Sequence, residues 1–332
     1  MRPPGPEDLH AVAALLTTAG QARNASRVLR TEDLRIRWLM LEDPRDAVVL
    51  ELPGSPPTII AYASAPIDVD PATGDVLVHL EGEIHPAWTS RRLATFLLDR
   101  AEAAGRGYAA SIGTTAAVPT VRIRTPLVDG GLSARAWFDA RGFVTVRHLL
   151  ELRLDLHAPP PAPRWPDGVT VRTYRPGRDD DVLWRTHQAA FADVATHLPI
   201  AREDYLDDRI RHDERFDPGL VLLAEHTDAA DRTPPVVVGV AVCRSGTEVA
   251  AEDGLVRDLG VVPGWRRRGI AMALLRAAFA AFRARGLTGV ALEVDDVTLD
   301  GAVALYRRAG MRITHRTDVL ERVSAAASRP PG

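Results

Sequence analysis

The 332-residue chain contains no lysine; all 41 of its basic residues are arginine. That excludes a P-loop, whose glycine-rich turn ends in a lysine that reaches the phosphates. Cysteine is nearly absent too. Cys243 stands alone in the apolar run that begins at Val236, so no disulfide framework can form within the chain, and the thiol reads as a small buried hydrophobe. No apolar stretch approaches the ~20 residues that a membrane helix needs. The first ten residues, MRPPGPEDLH, place prolines and acids where a signal peptide needs basic and then apolar residues, so a cytoplasmic location without membrane contact is expected. The ten histidines show neither H-x-H nor H-E-x-x-H spacing, so no metal is expected. A net charge of −3 gives no electrostatic case for nucleic acid. What the chain does have is length and apolar content: 332 residues, 46% hydrophobic, suffice for two ordinary domains with a core each.

Those two domains read as one plan used twice. Residues 84–94 (IHPAWTSRRLA) line up with residues 261–271 (VVPGWRRRGIA), and each is followed by a helical pattern. Phe96, Leu97, Leu98 and Ala101 mark the buried face of the first helix. Leu274, Leu275, Ala278, Phe279 and Phe282 mark that of the second. Further on, residues 136–143 (AWFDARGF) line up with 304–311 (ALYRRAGM). Between the copies, residues 156–168 carry five prolines, which fit neither a sheet nor a helix interior and predict an extended linker. A strand is expected from Val169. Asp179, Asp180 and Asp181 then stand where an N-cap and first helical turn belong, as capping and solvated surface. The polar end of the chain, residues 326–332, is expected to be disordered.

Residues 255–271 read LVRDLGVVPGWRRRGIA. An aliphatic run feeds a turn with three arginines and a glycine, which opens a long helical pattern. Such a turn can hold a polyphosphate, because the free amides at a helix N-terminus and the positive end of the helix dipole face the ligand. The glycine has a reason: backbone must close on the pyrophosphate, and a side chain there would occupy phosphate space.

The spacing Arg266-x-x-Gly269-x-Ala271 resembles motif A of the GCN5-related N-acetyltransferases, written [QR]-x-x-G-x-[GA]. Residues 290–295 (VALEVD) resemble the family's fifth strand, and residues 301–311 (GAVALYRRAGM) its last helix with the Gly-Met pair at the end of it. The resemblance implies an α/β, α+β mixed-sheet GNAT fold in two tandem domains. A degenerate domain would span residues 1–155 and a catalytic one residues 169–325. It implies acetyl-CoA as cosubstrate, with the backbone of Leu259, Gly260 and Val261 along the pantetheine arm. Arg266, Arg267, Arg268, Gly269, Ile270 and Ala271 would wrap the pyrophosphate. Thr298 stands where family members often carry an asparagine, and its hydroxyl replaces only part of the amide's hydrogen bonding.

The first copy departs from this pattern. Arg92 replaces the glycine, Thr89 and Ser90 replace two arginines, and Phe138 replaces Tyr306. It is expected to have kept its core and lost its site.

Transfer of an acyl group to an amine needs a neutral amine, a stabilised oxyanion and a proton for the leaving thiolate. Tyr306 occupies the family's general-acid position. For a base, the strands offer Asp258, Glu293 and Asp295. Asp258 is preferred because it directly precedes the pantetheine stretch, while family members often pass the proton through water. Acceptor choice is expected in residues 179–218, where His187, His197, Asp204, Tyr205, Asp207, Asp208, Arg209 and Arg211 would suit a small, polar, charged amine. The chain would act as a monomer or homodimer. Two other readings stay open: a non-catalytic acyl-CoA sensor or scaffold, and a protein N-terminal acetyltransferase.

Overall fold

The computed structural model describes residues 1–22, 31, 34–35, 38, 41, 43, 46–54, 57–70, 73–112, 119–128, 132–194, 199–228, 234–247, 250–295 and 301–324. The expected disordered tail therefore lies outside the described residues. The chain divides into two compact units, residues 1–148 with 317–332, and residues 149–316.

In the first unit, α1 (Leu9–Ala22) precedes strands β1 (Ala47–Leu52), β2 (Thr58–Ser64), β3 (Ile67–Val69), β4 (Val76–His79) and β5 (Glu81–Ile84). Helix α2 (Arg91–Ile112), strand β6 (Val121–Val128), helix α3 (Leu132–Asp139) and strand β7 (Val144–Asp155) come next. β2 pairs antiparallel with β1 on one side and β5 on the other, while β4 pairs antiparallel with β3 and parallel with β6. The buried face of α2, with Leu97, Leu98 and Ala101, packs on Val76, Val78, Val121 and Ile123 in one core.

The second unit contains β8 (Val169–Thr173), α4 (Asp180–Phe191), α5 (Arg202–Leu206), β9 (Val221–His226), β10 (Val236–Ser245) and β11 (Asp253–Val261). It continues with α6 (Ile270–Ala284), β12 (Gly289–Asp295) and α7 (Ala302–Arg308), and β13 (Arg312–Ser324) starts here. Its strands run β7-β12-β11-β10-β9-β8. One face carries α6, whose Ile270, Leu274, Leu275, Phe279 and Phe282 are buried against Val256, Val261 and Val290. Each such side chain contributes roughly 1.5–3 kcal/mol. The other face carries α4 and α5, with Leu183, Tyr205 and Leu206 packed on Val221, Leu223, Val240 and Val242.

The units trade strands. Residues 149–155 of β7 pair antiparallel with β12, and residues 317–324 of β13 pair antiparallel with β6. The division thus falls inside β7, not at residue 155, and the last strand closes the first unit's sheet. Each traded strand is held by a buried carboxylate. Arg153 donates to both oxygens of Asp253 at 2.6 and 2.9 Å, and Glu321 accepts from Arg122 and Arg124 at 2.9 and 2.6 Å.

Residues 159–166 of the proline-rich segment form neither helix nor strand, and the segment is fastened to the second unit. Leu156 is buried, its N–H donates to the Thr288 carbonyl, and Trp165 packs against the core beneath α6. The acidic run is expected to cap and be solvated, but the side chain of its first residue does neither. Asp179 occupies the N-cap position of α4 without a side-chain bond to the helix; it is buried and accepts from Arg172 at 2.6 and 3.0 Å. Asp180 accepts from the Tyr174 hydroxyl at 2.6 Å. Cys243 is buried in the core, and burial pushes its thiol well above the ordinary range. No described helix is long and apolar enough to cross a membrane.

Candidate active site

Strands β11 and β12 start as parallel neighbours and then part. Their ladder holds Asp253 to Gly289, Gly254 to Val290 and Leu255 to Ala291, and stops there. Beyond Leu255, β11 stays paired with β10 through Val261 while its other edge leaves the ladder. The expected donor stretch Leu259, Gly260 and Val261 lies on that diverging segment. A free strand edge can bind an extended amide-bearing chain as an added strand. At Gly260 a Cβ would sit 2.8 Å from the Ala190 Cβ, so glycine is what lets α4 lie directly on this strand.

After Val261 the chain makes a short 3-10 turn, Pro263–Trp265, and enters α6 at Ile270. Two residues between them are left-handed. Arg267 has φ 64° and is the described non-glycine residue with positive φ; Gly269 has φ 88°. Such alternation curls consecutive amides into an anion-binding concavity, and a non-glycine residue held left-handed is strain of the kind found at ligand sites. Gly269 is the N-cap of α6 and has no side chain to satisfy the helix amides. The helix ladder begins with Ala273 N–H donating to Gly269 O, so the amides of Ile270, Ala271 and Met272 precede the first helical bond. A Cβ on Gly269 would meet nothing within 4 Å, so open space lies at the point of closest approach.

The three arginines are not equivalent. Arg266 is spent within the protein: it donates to Val261 O at 3.0 Å, Ala190 O at 2.8 Å, and Asp193 at 2.6 and 2.8 Å. It ties the turn to the end of α4, leaving its backbone as its contribution to any ligand. Arg267 and Arg268 are exposed, and Arg268 lies 4.6 Å over the Trp265 ring. Thr298 lies outside the described residues.

Tyr306, on α7, is 9% exposed within the core beneath α6. Burial pushes its hydroxyl up to about 12, so it carries its proton throughout the neutral range. Asp258 faces the opposite side of the sheet, under α4 and α5. Its carboxylate accepts from Arg209 Nε at 2.9 Å and lies 3.6 Å from His187 Nε2. Burial pushes its carboxyl upward, but the interactions with His187 and Arg209 outweigh that and hold it well below the usual carboxylate range. Glu293 is exposed on β12.

Several of the expected acceptor-region residues gather here. His187, Tyr205, Asp208 and Arg209 all approach β11, the His187 ring lying 4.6 Å from that of Tyr205. Asp207 and Arg211 pair with each other on the surface instead. His197 lies outside the described residues. Sequence reasoning missed Arg257, which joins the cluster from β11. The available signal was a charged Arg-Asp pair inside an otherwise apolar strand, where alternation alone would send one of the two to the wrong face.

Parting parallel strands, a glycine-capped basic turn between strand and helix, and a buried tyrosine on the last helix agree with what comparison with known proteins finds. The acetyltransferase (GNAT) family profile matches residues 183–311. The chain is 30% identical over 324 residues to a mycothiol acetyltransferase of Streptomyces avermitilis, covering 96% of this chain and 93% of that protein. It is 36% identical over 234 residues to one of Salinispora arenicola, covering 70% and 72%. Among solved structures, a GCN5-related N-acetyltransferase from Sphaerobacter thermophilus superposes with a TM-score of 0.77 at 29% identity, covering 97% of this chain and 94% of that one. A tandem GNAT protein from the clavulanic acid biosynthesis pathway shares the fold, with a TM-score of 0.65 at 15% identity over 99% and 98% of the two chains. The chain belongs to the GCN5-related N-acetyltransferase (GNAT) family and is an acyltransferase enzyme.

Proposed function

We propose that the second unit is an acetyl-CoA-dependent N-acetyltransferase acting on the amine of a small polar molecule. The observation that carries this reading is the uncapped, left-handed turn at the start of α6, set at the end of a strand whose edge is free beyond Leu255. In this reading the amides of residues 266–271 hold the donor's pyrophosphate, with Arg267 and Arg268 adding charge at the rim. The edge of Leu259, Gly260 and Val261 orients the pantetheine arm. The donor supplies the activated acetyl group.

Tyr306 holds a proton on its hydroxyl at any working pH and delivers it to the departing sulfur. Asp258 acts differently from a base. A carboxylate held this far below its ordinary range takes up a proton poorly, so it positions His187 and Arg209, and the proton of the attacking amine passes to water. The name of the curated relatives, mycothiol acetyltransferase, supports a small molecule as acceptor over a protein N-terminus.

The test is calorimetric titration with acetyl-CoA, followed by steady-state thiol release with a panel of small amines that includes deacetylated mycothiol. Micromolar donor binding with turnover of at least one amine is expected. Binding without turnover across the panel would turn the assignment toward an acyl-CoA sensor.

A further inference from the structure

Strand β11 carries a bulge. Its register against β10 shifts between Val242, which faces Asp258, and Cys243, which faces Val256, leaving Arg257 outside the ladder. In a regular strand, neighbouring side chains point to opposite faces. Here Arg257 and Asp258 both serve the α5 side: Arg257 reaches Asp208 and Asp213, and Asp258 reaches Arg209 and His187. Bulges re-aim side chains in this way, often beside active sites. In the first unit the residue between β4 and β5 is the buried Leu80.

The Arg257 guanidinium is loosely held. Its contacts to the Asp208 carbonyl, the Asp208 carboxylate and Asp213 run from 3.1 to 3.4 Å. Charge-assisted pairs close to about 2.7–2.9 Å when a guanidinium has its preferred partner, and Arg172 on Asp179 and Arg266 on Asp193 do so, at 2.6 Å. Asp208 is 55% exposed, a weak competitor for that fork. Burial and the adjacent Arg209 both disfavour the charge on Arg257, so an added anion would relieve it. The Tyr205 hydroxyl is buried without a hydrogen-bond partner, within electrostatic reach of Asp258, Arg209 and Arg257. A buried hydroxyl left unmatched costs about 1–3 kcal/mol, and a ligand oxygen would satisfy it.

We propose that Arg257 and the Tyr205 hydroxyl form the acceptor's anion subsite, and that the amine acetylated by the second unit bears a carboxylate. The inference rests on the acetyltransferase reading of the same site. A planar, singly charged carboxylate suits one guanidinium fork plus one hydroxyl. Asp208, Asp213 and Asp258 stand around the same point and would repel a dianion such as a phosphate. Arg257 precedes the donor stretch at Leu259 by two residues, about 7 Å along a strand. That short spacing favours an acceptor whose carboxylate and amine lie a few bonds apart, as in an α- or β-amino acid.

The experiment compares initial rates of acetyl-CoA consumption for α- and β-amino acids and, one by one, their carboxamides. The carboxamide amine is less basic and more of it is neutral, so a carboxylate preference cannot arise from intrinsic reactivity. At least one amino acid should exceed its carboxamide tenfold or more in kcat/KM. Arg257→Gln should erase that preference through KM, Arg257→Lys should keep part of it, and Tyr205→Phe should weaken it several-fold. Carboxamides that match or exceed their acids across the panel, or a preference that survives Arg257→Gln in a protein with an unchanged melting temperature, would overturn the proposal. The wild-type comparison decides even if the glutamine variant fails to fold. Acetyl-CoA titrated alone separates the two failures. If it binds and no carboxylate preference appears, only the subsite falls; if it does not bind, the acetyltransferase reading falls and takes the subsite with it.

Discussion

The two units run the same course from strand through turn to helix, and they differ in how the helix begins. Each follows its strand with a 3-10 turn of the form Pro-x-Trp, Pro86–Trp88 in one and Pro263–Trp265 in the other. In the second unit the next residues turn left-handed and α6 starts at Ile270, its first amides uncapped. In the first, α2 is already helical at Arg91 and Arg92, and Ser90 Oγ accepts from the Leu93 N–H at 3.2 Å. One of the amides at this helix start is thus served from within the chain. Where the second unit has a strained turn, the first has a serine cap and two more helical residues. Strand register extends the comparison. Ala61 to Ser64 pair with Ile84 to Glu81 as Gly239 to Val242 pair with Val261 to Asp258, which makes Glu81 the counterpart of Asp258. Glu81 is exposed where Asp258 is buried and ion-paired.

The largest effect should come from carrying the first unit's residue into the second. Gly269→Arg puts a side chain at a φ of 88° and into the approach to the helix amides. Loss of two charge-assisted contacts at about 2 kcal/mol each predicts roughly 1,000-fold weaker acetyl-CoA binding, with the fold intact by circular dichroism. The reverse exchange, Arg92→Gly, should create no donor binding, because Ser90 still caps the helix. Calorimetry on both variants checks the pair, and undiminished affinity in Gly269→Arg would remove the turn from the site.

Next comes the buried carboxylate. Asp258→Asn removes the buried anion beside Arg209 and leaves that guanidinium only the exposed Asp208, which should cost about 3 kcal/mol, whereas Glu81→Gln on the surface should shift stability by less than about 0.5 kcal/mol. The pH dependence has a definite sign. The Asp258 carboxyl is depressed in the folded state, so its stabilisation is present above the unfolded value near ~3.9 and fades as pH falls toward the folded value. The gap in urea midpoint between wild type and Asp258→Asn should therefore be narrower at pH 3 than at pH 7. A gap as wide at pH 3 as at pH 7 would mean that the carboxylate charge is not what stabilises.

Tyr306 and Phe138 are the third contrast. Loss of a general acid slows turnover by roughly 100-fold or more, so Tyr306→Phe should lower kcat by about that factor while leaving donor affinity within twofold. With its hydroxyl raised to about 12, Tyr306 stays protonated as pH climbs. The wild-type rate should therefore rise as the amine loses its proton and then hold level through pH 10. An alkaline decline centred below pH 10, or an unchanged kcat in the phenylalanine variant, would strip Tyr306 of the role.

Much of this was legible in the chain. The repeat, the Pro-x-Trp turns, the glycine that opens α6 and the tyrosine of the last helix are local patterns, set by residues within a few positions of each other. The strand exchange was not, because nothing in residues 149–155 or 317–324 says which of two similar sheets they will join. Pairing is decided by distant partners such as Asp253 for Arg153 and Arg122 for Glu321. The Arg257 bulge was hidden for a related reason. Alternation assigns faces only while the ladder is regular, and the shift is visible only against β10. Asp258 could be placed on the donor strand from sequence, but its low basicity depends on Arg209 and His187, each about 50 or more residues away.

The smallest predicted effect sharpens the comparison most. If Ser90 has replaced a ligand as the cap of α2, removing it should cost stability and nothing else. A serine cap is worth about 1 kcal/mol, so Ser90→Ala should lower the melting temperature by about 2–4 °C for a protein of this size, with acetyl-CoA affinity and turnover unchanged. The freed amides offer a further readout. If the first unit's helix start remains an anion site in all but its cap, millimolar pyrophosphate should restore part of the lost melting temperature in Ser90→Ala. If Arg91 and Arg92 have closed the site by staying helical, pyrophosphate should do no more for the variant than for wild type, and that is the expected result. Selective rescue would mean that the serine alone shuts the first unit, and that its helical arginines left the phosphate position open.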